Sequence, residues 1–226
     1  MRLLLRLALV CSLLTLTTPT GAQITPAALE PRALSKWEQI SATLAPSLAR
    51  MTMLRPAINV FTGDEGMVES ACTAFSINAP KNLFMTAAHC LGQDMKLDGH
   101  PVAGVFISER DDLMILQCYG INAPSLRPSH KTMRKGTDIA AFGFGYGWTK
   151  AMFRHGEVAI PDMLINELHA HFLVTNFTIV GGMSGGPMVD DDGRVVSINQ
   201  MGNYEVGLGR PLSVILDVTA PYWQFD

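Results

Sequence analysis

With 226 residues, 48% of them in the AVILMFWYC set, only 16% charged and a mean hydropathy of +0.20, the chain is long and apolar enough to bury one sizeable core. A disordered segment would show the reverse balance. The 17 basic and 20 acidic residues give no reason to expect a nucleic-acid partner, and 20 Gly with 13 Pro call for many turns. Such a turn frequency favours a β-rich fold over a helical bundle.

Residues 1–22 carry Arg2 and Arg6, then an apolar run from 7 to 16, then the small-residue exit Thr20, Gly21 and Ala22. This is the pattern of a secretory signal cleaved before Gln23, with an uncleaved anchor as the alternative; the apolar run is short for a membrane span. Cys11 lies inside this segment, behind a Val10 too bulky for a lipid-attachment signal, and is expected to be lost on export. Without Arg2 and Arg6 the balance is 15 basic against 20 acidic residues. Cys72, Cys90 and Cys118 then remain for an oxidising compartment, secreted or periplasmic, which allows one pair and one spare thiol.

From 23 to 56 the sequence has Pro26, Pro31, Pro46 and Pro56 and a helical stripe in Leu34, Trp37, Ile40 and Leu44. It reads as an N-terminal appendage with one short helix, or as a pro-segment. After Pro56 come short runs rich in β-branched and aromatic residues at 58–61, 71–77, 83–87, 102–108, 113–118, 138–142, 157–160, 172–175, 187–189 and 195–199. Strands divided by Gly, Pro and Asp turns indicate an antiparallel sandwich or barrel. Asp192-Gly193 is a hairpin signal. The run Asp190, Asp191, Asp192 lacks the ligand spacing of a calcium loop and reads as a solvated turn, so no metal site is expected. The apolar segment 212–218 is either a last strand or a helix.

Two segments carry candidate chemistry. In Gly181, Gly182, Met183, Ser184, Gly185, Gly186, Pro187 the glycines allow backbone N–H groups of Gly182 and Ser184 to converge on one point, where a developing oxyanion needs them. A serine nucleophile also needs a base. His89, in Thr86-Ala87-Ala88-His89-Cys90, ends a strand-like run, and an acid at Asp111 or Asp112 stands at the mouth of a later apolar strand, where it can hold the imidazole tautomer. The other histidines, at 100, 130, 155, 169 and 171, have no such company.

TAAHC at 86–90, DLMIL at 112–116 and GMSGGP at 182–187, in that order, resemble the three signatures of the chymotrypsin-like (trypsin-like) serine proteases. The resemblance spans roughly 58–216. It implies an all-β fold of two packed antiparallel six-stranded β-barrels, with the 57–226 segment as the protease domain. It implies His89 as general base and acid, Asp112 as its orienting carboxylate with Asp111 as the competitor, Ser184 as nucleophile and the Gly182 and Ser184 N–H groups as oxyanion hole. It also implies a Cys72–Cys90 disulfide, whose closed loop stabilises by roughly 3 kcal/mol. Cys118 is then a buried thiol. No cofactor is implied.

Two departures from trypsin matter. Met183 stands where trypsin has the acid that pairs with a new N-terminus, and Arg55 precedes Pro56, so zymogen activation is not expected. The stretch 192–199 is similar to the corresponding strand of the periplasmic high-temperature-requirement proteases, though the chain is expected to lack their peptide-binding PDZ module. The resemblance places the specificity pocket at Thr178 and Gly202. Uncharged Thr178 argues against Arg or Lys selection, Gly202 leaves room for a medium or large side chain, and Asn199 stands where glutamate-selective relatives have histidine. An apolar residue before the scissile bond is therefore expected, with Glu205 as the one nearby acid. The expected function is a secreted or periplasmic serine endopeptidase acting on protein or peptide substrates, with no nucleic acid and no stable membrane insertion after signal cleavage. The alternative is a catalytically silent protease-like domain that binds a protein or peptide.

Overall fold

The computed structural model describes residues 32–58, 63–203 and 205–225. The signal expected at 1–22, the first part of the appendage and most of the strand expected at 58–61 lie outside them. The chain from Leu34 onward forms one compact unit.

The helical stripe becomes α1 (Lys36–Leu44). Ser35 caps it: its hydroxyl accepts from the Glu38 N–H at 3.3 Å, and the Glu38 carboxylate accepts from the Ser35 N–H at 2.7 Å. Trp37 and Leu44, seven residues apart and so on one face, are buried, with Trp37 stacked on His155 at 6.0 Å.

Thirteen strands follow among the described residues. β1 (Leu48–Ile58), β2 (Glu65–Asn78), β3 (Leu83–Thr86), β4 (Gln93–Leu97), β5 (His100–Pro101), β6 (Ala103–Ser108) and β7 (Leu113–Gln117) form one sheet in the order β5-β4-β1-β2-β3-β7-β6. The remainder, β8 (Asp138–Gly143), β9 (Met152–Ile165), β10 (Ala170–Thr175), β11 (Pro187–Val189), β12 (Val195–Gly202) and β13 (Gly207–Pro211), close into a six-stranded antiparallel barrel. The expected pair of packed β units is present, with a correction: the first has seven strands and its ladder stays open between β5 and β6. Its edge strand β5 is two residues long and ends on Pro101, which has no N–H to continue a ladder.

Period-two burial ties the strands to three apolar layers. On β7, Leu113 and Ile115 face the core shared by both sheets, while Met114 and Leu116 face the interior of the first sheet. Phe142 on β8 enters the shared core, and Ile139 and Ala141 enter the barrel interior. Strands buried on both faces read as unbroken apolar runs, which is why 113–116 was visible in the sequence.

The boundary expected at 56/57 falls inside β1, which pairs with β2 residue for residue from Leu48↔Phe75 to Ile58↔Glu65. Pro56 is tolerated there because β1 pairs with β4 only from Met51 to Leu54, so at Pro56 the other edge of β1 carries no ladder bond to lose. The 212–218 segment is a helix, α2 (Leu212–Thr219), with Ile215 and Thr219 buried. Asp192-Gly193 does turn the chain from β11 into β12, with Gly193 at φ 74°. Of the acids expected in a solvated turn, Asp191 and Asp192 are exposed, but Asp190 is fully buried and accepts from Ser129 and from the N–H groups of Asp192 and Arg194. The Lys131 ammonium lies 2.5 Å from Asp191 and 2.6 Å from Asp192, so one cation of the chain bridges the two exposed carboxylates of this turn.

Candidate active site

His89 sits on a single 3-10 turn directly after β3, and Asp112 on the turn that leads into β7, the strand paired with β3. Pairing Thr86 with Met114 therefore carries both residues to the same end of the sheet. Asp112 Oδ2 lies 2.8 Å from His89 Nδ1, and its Oδ1 accepts the His89 backbone N–H at 2.7 Å. Asp111 turns the other way, accepting from Ser108 Oγ at 2.7 Å. Of the two candidate acids, the structure brings Asp112 to the imidazole.

Asp112 has φ 54°, a left-handed conformation that needs support in a residue with a Cβ. Gln200 and Arg210 supply it from the barrel. Gln200 Nε2 donates to the carbonyls of Asp111 and Asp112, both at 3.1 Å, and Arg210 Nε donates to the Asp111 carbonyl at 2.8 Å. Arg210 is 3% exposed; burial pulls its pKa below the ordinary arginine value, while Asp111 and Asp112 act in the opposite direction.

Ser184 lies between β10 and β11 in the glycine-rich loop. Its hydroxyl donates to the Gln200 carbonyl at 3.2 Å, and it shares with His89 the wall of an open cleft of about 580 Å³. Gly182 adopts φ 92°, and a Cβ there would lie 2.4 Å from the Phe144 carbonyl, so only glycine fits. The Gly181 carbonyl is held by the Tyr146 N–H at 2.6 Å. Among the described residues neither the Gly182 nor the Ser184 N–H donates a hydrogen bond, which leaves both to an incoming acceptor.

Thr73, a β2 residue that nothing in the sequence flags, joins the two sheets at this loop. Its hydroxyl donates to the Gly182 carbonyl at 2.8 Å and accepts from the Phe144 N–H at 2.9 Å. Its N–H donates to the Ser184 carbonyl at 2.8 Å. Thr73→Val keeps the shape but leaves Gly182 O and Phe144 N unpaired in a fully buried position. Equilibrium denaturation should show a loss of about 2 kcal/mol, with turnover reduced, while Thr73→Ser stays within about 1 kcal/mol of the parent. A loss in Thr73→Ser greater than that in Thr73→Val would show that the methyl group, more than the hydroxyl, is what matters.

The disulfide Cys72–Cys90 is formed and lies beside His89. Cys72, His89 and Cys90 cluster closely enough to suggest metal ligation, but a disulfide offers no thiolate. Cys118 is a free, buried thiol, pushed up by burial and secondarily by the Asp98 charge, and so stays protonated.

Thr178 and Gly202 are brought together, but not as an open pocket wall. Thr178 Oγ1 donates to the Asn203 carbonyl, and a Cβ on Gly202 would lie 2.7 Å from the Ile179 carbonyl. The space that glycine frees is filled by the Ile179 backbone, a correction to the expectation of room beside Gly202. Asn199 points away from this region: its amide donates to the Phe142 and Met183 carbonyls and braces the serine loop. Glu205 is exposed on a turn whose N–H groups are held by Asn203.

Residues 72–198 match the family described as the trypsin-like peptidase domain, a stretch that begins at the disulfide, contains His89, Asp112 and Ser184 and covers over half of the chain. The chain belongs to the trypsin-like peptidase family. Within that family it is similar to a probable periplasmic serine endoprotease, DegP-like, of Pseudomonas fluorescens, with 29% identity over 117 residues, 49% of this chain and 25% of that protein. A DegP-like relative from Pseudomonas putida is 26% identical over 117 residues, 49% of this chain and 24% of its own length. The chain thus spans about a quarter of the curated relatives it matches. Among solved structures, the Rv3671c protease of M. tuberculosis in its active form superposes with a TM-score of 0.66 at 16% identity, covering 86% of this chain and 93% of that one. The HtrA-type protease AlgW, solved with a decapeptide, gives a TM-score of 0.68 at 20% identity over 83% of this chain and 67% of that one. At these identities the superpositions establish the fold. The chymotrypsin-like architecture of this trypsin-like peptidase is therefore shared with bacterial members.

Proposed function

We propose that this trypsin-like peptidase hydrolyses peptide bonds through an acyl-enzyme, with Ser184 as nucleophile, His89 as general base and acid, and Asp112 as orienting carboxylate. The observation that carries this reading is the two-point contact of Asp112 with His89. One carboxylate oxygen takes the backbone N–H and the other faces Nδ1 at 2.8 Å. A carboxylate at Nδ1 keeps the proton there and leaves Nε2 free to accept.

Rotation of the Ser184 hydroxyl from the Gln200 carbonyl toward His89 starts the reaction. Ser184 Oγ adds to the substrate carbonyl as its proton passes to Nε2, and the carbonyl oxygen becomes an oxyanion facing the Gly182 and Ser184 N–H groups. Collapse breaks the C–N bond, and His89 returns the proton to the leaving amine. Water then adds to the acyl-enzyme with His89 again as base, which restores Ser184 and releases the acid. A silent, binding-only domain is the weaker reading, because release from catalysis permits loss of His, Asp or Ser and this chain keeps all three.

The periplasmic relatives support export to the periplasm, and among the described residues no helix is long and apolar enough to cross a membrane. Because β1 is built into the first sheet, the segment from Lys36 onward belongs to the working domain rather than to a removable pro-segment. Uncharged Thr178, its hydroxyl already engaged by Asn203, supports a preference for uncharged apolar residues before the scissile bond. Digestion of a peptide library, read by mass spectrometry, tests both points. Cleavage after residues such as Leu, Met, Val or Phe is expected; cleavage mainly after Arg or Lys would overturn the pocket assignment, and no cleavage with no fluorophosphonate labelling would overturn the activity.

A further inference from the structure

The cleft at Ser184 is lined on one side by groups the reaction above does not use. Arg50 and Arg55 on β1 and Glu69 on β2 face it together with His89, Gly182 and Ser184. Thr178 and Gly202, where the side chain before the scissile bond is expected, are not among its lining residues. This cleft is therefore the side through which the leaving half of the substrate runs.

The two arginines are not equivalent. Arg50 Nε donates to the Gly147 carbonyl at 3.1 Å, and its Nη2 lies 3.5 Å from the Glu69 carboxylate, so its charge is balanced and its position held. Arg55 has no carboxylate partner among the described residues. Its Nη2 donates to the His89 carbonyl, and its Nε is buried without an acceptor. A guanidinium carries five N–H donors in a fixed fork, and this one uses a single donor within the protein. Its charge is thus left without a carboxylate contact of its own, in a chain whose formal net charge is −3, so it does not reflect general basicity.

We propose that Arg55 forms a leaving-side subsite for a carboxylate, so that substrates with an acidic side chain or a free chain end shortly after the scissile bond are preferred. The inference rests on the peptidase reading of Ser184. Carboxylate and guanidinium match in planar, bidentate geometry, and the pairing gives the unused Nη donors of Arg55 their acceptors. Since Arg55 bonds the carbonyl of His89 itself, the recognised group falls within about two residues of the scissile bond, an extended reach of roughly 7 Å.

The test uses internally quenched, C-terminally amidated peptides that differ only in Glu or Gln at the first or second position after the scissile bond. A third peptide has Gln there and ends in a free carboxylate at the second position, which separates the side-chain source from the chain-end source. In the parent protein, kcat/KM should favour a carboxylate by about five- to tenfold, less at high salt. In Arg55→Gln the ratio should fall to about one, whatever happens to the absolute rates; Arg55→Lys should retain part of it. A purely structural tether to His89 would lower all rates together and leave the ratio unchanged, and that result would overturn the proposal, as would a parent ratio near one.

Anisotropy with fluorescein-labelled versions of the same peptides on Ser184→Ala protein reads the preference without turnover. A carboxylate preference in binding, with no fluorophosphonate labelling of the parent, would reject the peptidase reading and keep the subsite. Labelling and cleavage without the preference would reject the subsite alone.

Discussion

Ser184→Ala is expected to reduce peptide hydrolysis by roughly 10⁶-fold and to abolish fluorophosphonate labelling, because the covalent route disappears while substrate binding and the oxyanion donors remain. The fold should persist. Ser184 is held by its backbone, with its carbonyl accepting the Thr73 N–H, and its hydroxyl makes a single 3.2 Å bond to the Gln200 carbonyl. Thermal melting should therefore shift little while activity vanishes. Retained labelling, located by mass spectrometry on another serine, would sink the assignment.

For Asp112→Asn a loss of about 10⁴ in turnover is expected, with binding little changed. Two donors face this carboxylate, the His89 backbone N–H and ring Nδ1. An asparagine offers one acceptor and one donor. The backbone N–H cannot change role, so it takes the oxygen and the amide NH₂ is left facing Nδ1. The imidazole must then accept at Nδ1 and carry its proton on Nε2, where it can no longer take one from Ser184. Asp111→Asn should cost about tenfold or less, since the Asp111 side chain bonds Ser108 and its part in the site is through its carbonyl. Steady-state kinetics on one peptide substrate decides the matter; the opposite order of effects would exchange the two aspartates.

Much of this molecule was legible along the chain. The chemistry-bearing residues sit in short local patterns, and a strand buried on both faces announces itself as an unbroken apolar run, as at 113–116. The stripe from Trp37 to Leu44 and the Asp192-Gly193 turn are equally local, because their periodicity or backbone preference is complete within a few residues. What the tertiary structure alone decided depends on partners far away in sequence. β1 is a strand because β2 pairs with it along its whole length, although the prolines and helical stripe of 23–56 suggested an appendage. β13, with its glycines and proline, is absent from the strand runs read along the chain, and β10 and β12 make it a strand by holding it from either side. The resemblance already favoured Asp112 over Asp111; what it could not give is the left-handed backbone turn that presents Asp112, which Gln200 and Arg210 brace from the other sheet. The roles of Thr73 and Arg55, and the filling of the space at Gly202 by Ile179, likewise follow from close approaches between distant segments, for which a single sequence carries no local signal.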